Sequence, residues 1–132
     1  MKRVVITGIG AVTAFGKTWE DVKAAFQRKQ NAVQAKTEWA ERYPELGANL
    51  GAEIHDYNPP AHWNRKQLRS LGRVSQFAVE AAELALASAN LLDENGIILP
   101  YLKEGTMGVA CGSSTGSTND VRDAAELLMT GK

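Results

Sequence analysis

Lys2-Arg3-Val4-Val5-Ile6-Thr7-Gly8-Ile9-Gly10-Ala11-Val12-Thr13 is the stretch whose reading decides the fold. Val4, Val5 and Ile6 are β-branched, which favours a strand over a helix. Consecutive apolar residues, rather than alternating ones, predict a strand buried on both faces over Lys2 to Thr7. Gly8 stops the run, and a loop carries the chain to Lys17. The same stretch has the outline of a secretory leader, with Met1-Lys2-Arg3 ahead of apolar residues to Phe15. Thr7, Gly8, Gly10 and Thr13 interrupt it, whereas a leader favours a continuous helix-prone run. The strand reading holds, and with it the expectation of a cytoplasmic protein.

Beyond the loop, Thr18 is placed to cap a helix from Trp19 to Lys29, with Asp21 in its first turn. Asn31 to Pro60 has no sustained period and contains Pro44, Gly47, Gly51, Pro59 and Pro60. It reads as a long excursion with short elements, including a strand around Leu50 to Ile54. Leu68, Leu71, Val74, Ala78, Ala81, Ala85 and Ala89 recur at helical spacing and predict one long helix over Asn64 to Asn90. Gly72 is its weak point, and its many alanines predict close packing against another element. Thr106 to Cys111 reads as a second buried strand, Gly112 to Gly116 as a turn, and Thr118 to Thr130 as a final helix. Strands alternating with helices imply a layered α/β fold.

The chain has 132 residues, 44% hydrophobic and 23% charged, which suffices for one domain with a core. Fifteen basic residues offset 15 acidic ones. A neutral chain argues against a nucleic-acid partner, which needs an excess of Lys and Arg. No apolar run reaches membrane-spanning length. Cys111 is the one cysteine, so no internal disulfide can form, in keeping with a reducing cytosol.

Three motifs invite a chemical reading. Gly8-Ile9-Gly10 follows a strand, as a dinucleotide-binding turn does, but the third glycine falls on Thr13 and the helix starts too late. Gly16-Lys17-Thr18 opens a helix, as a phosphate loop does, but Ala11 stands where the first glycine belongs. Gly112-Ser113-Ser114-Thr115-Gly116 matches G-x-S-x-G between a strand and a helix, the setting of a nucleophile elbow. Such an elbow takes its histidine from later in the chain, and His55 and His62 both precede it. Two readings stay open: Ser114 is a nucleophile whose base lies beyond Lys132, or the turn uses small residues for close approach. His55 and His62 have no cysteine neighbours and do not form a metal set. Cys111, at the end of a predicted buried strand, reads as a structural thiol.

Arg65, Lys66, Arg69 and Arg73 form a basic stripe on the first two turns of the predicted long helix, with Glu80 and Glu83 towards its other end. Both placements oppose the helix macrodipole. The stripe is either a solvated face or a surface for an acidic partner.

The opening stretch with Gly16, the run Arg65-Lys66-Gln67-Leu68-Arg69, and Met107-Gly108-Val109-Ala110-Cys111-Gly112-Ser113-Ser114-Thr115-Gly116 together resemble the β-ketoacyl-acyl-carrier-protein synthases, most closely the elongating type I/II enzymes. The resemblance spans essentially the whole chain. It implies a thiolase-like layered αβαβα fold, of which residues 1–132 are the N-terminal half only. It implies a homodimer, or a heterodimer with a related ketosynthase subunit. The implied reaction is a decarboxylative Claisen condensation of an acyl thioester with malonyl thioester on acyl carrier protein, with no cofactor and no metal. The nucleophilic cysteine, two histidines and a lysine of the family are expected beyond Lys132, so this chain carries no catalytic residue and Cys111 does not match the nucleophile. Lys66 and Arg69 match positions that contact the acidic carrier protein. Ser70 departs from a frequently basic position, for which Arg73, one turn on, is the substitute. Thr115 matches a position on the Gly-Ser turn that lines the acyl pocket, where some members carry a larger aliphatic residue. Two rivals remain: a non-catalytic chain-length-factor subunit of the same fold, and an α/β-hydrolase fragment using Ser114.

Overall fold

The computed structural model describes residues 3–131; Met1, Lys2 and Lys132, of which Lys2 begins the opening stretch, lie outside the described residues. In chain order the elements are α1 (Trp19–Gln27), β1 (Gln34–Ala35), α2 (Thr37–Arg42), β2 (Leu50–Gly51), α3 (Arg65–Ser70), α4 (Arg73–Ser88), a 3-10 helix (Pro100–Lys103) and α5 (Thr118–Thr130). The chain divides into two compact units, Met1–Ala11 with Pro59–Lys132, and Val12–Asn58.

In the smaller unit, α1 begins where its cap requires. Thr18 Oγ1 accepts from Asp21 N at 3.1 Å and donates to Asp21 Oδ2 at 2.6 Å. The helix N-terminus is thus filled by its own side chains, where a phosphate loop would leave it open to a ligand. Ala25 is buried, and Phe15 meets Phe26 edge to face at 6.0 Å between centroids. The expected strand near Leu50 is the two-residue β2, paired antiparallel with β1 so that Gln34 faces Gly51 and Ala35 faces Leu50.

In the larger unit, the predicted single helix over Asn64 to Asn90 is two helices. Leu71 (φ −114°, ψ 111°) and Gly72 (φ −62°, ψ 164°) are extended and break the ladder. The cause lies in α5. A side chain on Gly72 would overlap the Asp120 carboxylate and meet Ser117 Oγ at 2.6 Å. Ser117 Oγ accepts from Val74 N at 3.3 Å, and Gln76 Nε2 donates to Leu71 O at 2.9 Å. Ser117, just before α5, therefore serves the open first turn of α4, whose own N-cap glycine has no side chain to do so.

The predicted helix-packing partner of the alanines is the opening stretch. A Cβ on Gly8 would overlap Ala85 O and lie 2.8 Å from Ala89 Cβ. On Gly10 it would overlap Ala81 O and lie 2.8 Å from Leu84 Cβ. Two residues of extended chain advance about 6.6 Å, and one four-residue step along a helix about 6 Å. The two spacings match, so the glycines seat on successive turns of α4, running against its direction. The glycines that suggested a loop are thus contact points for the backbone itself.

Neither predicted buried strand forms. Among the described residues, neither Arg3 to Thr7 nor Thr106 to Cys111 lies in a strand. Val4 is 90% exposed and Val109 92%. The predicted structural thiol is likewise exposed. The physical reason is that a strand exists through its neighbours: its N–H and C=O groups need a ladder, and a two-faced apolar strand needs cover on both sides. Among the described residues, only Ala25, Trp63 and Glu80 are buried, and none of them completely. No helix of the described residues is long and apolar enough to cross a membrane.

Candidate functional site

The basic residues singled out from the sequence sit on a short helix with a well-made start. Asn64 Oδ1 accepts from Lys66 N and Gln67 N, each at 2.9 Å. Gln67 Oε1 returns the bond, accepting from Asn64 N at 2.9 Å. This reciprocal capping satisfies three backbone donors at once. Lys66 and Arg69, three apart, share one side of α3 and are exposed. Among the described residues no carboxylate forms an ion pair with Arg65, Lys66 or Arg69.

The helix break corrects the charge reading. Arg69 lies in the last turn of α3, where a cation favours the macrodipole. Arg73 does not continue the stripe; it opens α4 and stacks over the Phe77 ring at 5.0 Å. Arg73 also lines a hollow of about 190 Å³ with Gly116, Ser117 and Asp120. The fold therefore keeps Lys66 and Arg69 together and sends Arg73 to the end of the Gly-Ser turn.

Glu83 is not a terminal helix acid acting against the dipole. It lies before the last turn of α4 and accepts from Trp63 Nε1 at 2.9 Å through Oε1 and 3.2 Å through Oε2. His62 Nε2 is 3.2 Å from Glu83 Oε2. Trp63 is 7% exposed, and Glu80 is buried one turn earlier on α4. The sequence signal for this contact is faint: a tryptophan directly before a helix cap, twenty residues from its acceptor.

On the Gly-Ser turn, Ser113 Oγ accepts from Gly116 N at 3.1 Å. Ser114 and Thr115 are exposed. His62 is engaged with Glu83, and His55 lies 3.8 Å from Glu53. His62, in the same unit as Ser114, is not bonded to it, so the elbow reading acquires no base within that unit among the described residues. No group of three or more His, Cys, Asp or Glu among the described residues is arranged to hold a metal.

Residues 1–131 match the family model described as "Beta-ketoacyl synthase, N-terminal domain". The chain belongs to the beta-ketoacyl synthase family. The crystal structure of a beta-ketoacyl synthase from Burkholderia phymatum STM815 aligns over 100% of this chain and 31% of that one, with TM-score 0.83 and 42% identity. This likeness identifies the fold as α/β and thiolase-like. The 3-oxoacyl-[acyl-carrier-protein] synthase 2 of a Synechocystis species is 27% identical over 128 residues, 97% of this chain and 29% of that relative. The protein of the same description from Staphylococcus aureus strain COL is 29% identical over 133 residues, with 97% and 29% covered. This ketosynthase segment thus spans about three-tenths of the length of the curated relatives it matches.

Proposed function

We propose that residues 1–132 are the N-terminal part of a 3-oxoacyl-acyl-carrier-protein synthase domain, an acyltransferase of fatty acid or polyketide-type synthesis. The observation that carries this reading is the likeness to a beta-ketoacyl synthase along the entire chain. In the family reaction a cysteine thiolate takes the acyl group as a thioester. Loss of CO2 from the malonyl thioester then supplies the carbon nucleophile, which bonds to the acyl carbonyl and releases the cysteine. The cysteine, two histidines and lysine for these steps are expected beyond Lys132. The segment alone is then inactive, and its share of the work is recognition.

Two parts of the segment suit that share. Lys66 and Arg69 offer exposed cations on a firmly capped helix, fit for the acidic acyl carrier protein. Thr115, on the turn ahead of α5, would form one wall of the acyl pocket, with Arg73 beside the end of that turn. A dimer, with an identical or related subunit, and a cytoplasmic setting complete the reading.

The test is the full-length protein with acyl and malonyl groups on carrier protein. The expected product is 3-oxoacyl carrier protein with release of one CO2. A folded protein that yields none belongs instead with the non-catalytic chain-length-factor subunits. Lys66→Glu with Arg69→Glu should raise KM for the acyl carrier protein about tenfold, the ~1.4 kcal/mol of two exposed ion pairs. Thioesters lacking the carrier protein should be turned over unchanged. An unaltered KM for the carrier protein removes α3 from the docking surface.

A further inference from the structure

We infer that Glu83 is a positioning residue for the carrier-protein dock, acting on Lys66 and Arg69 through Trp63. The inference rests on the docking role proposed for α3. That helix has six residues, too few to be stable by itself. Its start is fixed by the Asn64–Gln67 capping box, but capping sets only the helix, not its direction. Direction comes from what precedes the cap. Trp63, immediately before Asn64, is buried, and both Glu83 oxygens lie within 3.2 Å of its Nε1. His62, one residue earlier, places Nε2 3.2 Å from Glu83 Oε2. Two consecutive side chains ahead of α3 thus converge on one carboxylate of α4.

The carboxylate sits on a helix anchored at both sides. Gly8 and Gly10 press on Ala81, Ala85 and Ala89, and Ser117 bonds the first turn of α4. Glu83 is therefore a fixed acceptor, and the half-buried bond from Trp63 Nε1 ties it to a buried ring. A charged acceptor strengthens such a bond and its geometry. With the clamp in place, the two cations of α3 are held before the carrier protein arrives. Without it, α3 must be ordered on binding, which weakens docking without touching the reacting groups.

The test uses the full-length protein and acyl carrier protein as the probe. Glu83→Ala should raise KM for the carrier protein about fivefold, with kcat and the turnover of carrier-free thioesters unchanged. Trp63→Phe, which keeps the ring and removes the donor, should give the same rise. The double variant should be no worse than the more severe single one, because both remove one bond. Glu83→Gln keeps a carbonyl acceptor and should restore KM to near its original value. The Lys66→Glu, Arg69→Glu variant separates the two readings. If it raises KM while Glu83→Ala and Trp63→Phe do not, the clamp is wrong and the dock stands. If it leaves KM unchanged, the dock fails and the clamp falls with it. A loss seen equally with carrier-free thioesters makes Glu83 a general stability residue and overturns the inference.

Discussion

Helices α3 and α4 find their partners within the chain, while the segment from Thr106 to Thr130 meets α4 at Ser117 and Asp120 and leaves most of its apolar side chains exposed. Around α4, two glycines, a buried tryptophan and a serine from ahead of α5 each meet a defined atom. In the other region α5 is a regular helix ended by Gly131 in the left-handed conformation, yet Leu128 is 85% exposed and Val109 92%. The difference separates two kinds of need. A helix bonds its own backbone and can form before its apolar side is covered. A strand bonds nothing of its own, so the Thr106–Cys111 stretch has neither ladder nor cover. The α4 region is tied at several defined contacts; the other leaves Val109, Leu128 and Met129 exposed.

The strongest challenge to this comparison is Val109→Asp in the full-length protein. If the stretch is a covered strand there, a carboxylate at its centre should cost about 4 kcal/mol or more. Thermal unfolding should show a large fall in Tm, or no soluble protein at all. A Tm unchanged within a degree or so would make residues 106–111 an ordinary surface segment and erase the contrast. A smaller but still large effect is expected at the contacts of α4. Gly10→Ala forces the opening stretch away from Ala81 and should cost about 3 kcal/mol by overpacking. Denaturant unfolding would measure it, and a loss well below 1 kcal/mol would mean that the contact with α4 is slack.

The same contrast governs what could be read in advance. Helix signals are local, so α1 and α5 were legible almost to the residue, and the alanines of α4 announced a close neighbour. The strand sequences were legible as strands only in the sense of a demand for partners, which these residues do not supply. The break at Gly72 was visible as a weak point but not as a break, because its cause is Asp120 and Ser117, far along the chain. That one turn altered the site: a continuous basic stripe became Lys66 and Arg69 on α3 with Arg73 elsewhere. Glu83 was legible as a charge but not as an acceptor, since pairing across twenty residues follows from the break that lets Trp63 fold back.

The smallest expected effect sharpens the comparison from within the region of α3 and α4. Asn64→Ala removes the acceptor for Lys66 N and Gln67 N, a change of about 1 kcal/mol. If α3 were held by its cap alone, losing half the capping box would unravel six residues and scatter both cations. With Trp63 bonded to Glu83, the entry to the helix stays fixed and only its first turn loosens. Amide exchange should therefore quicken at Lys66 and Gln67 while the indole N–H of Trp63 keeps its protection. KM for the carrier protein should rise about twofold, less than on losing Glu83, because a frayed turn costs less than a misdirected helix. Equal loss of protection at the Trp63 indole would show that cap and clamp are one cooperative unit, and α3 would then owe its place to the Asn64–Gln67 pair as much as to α4.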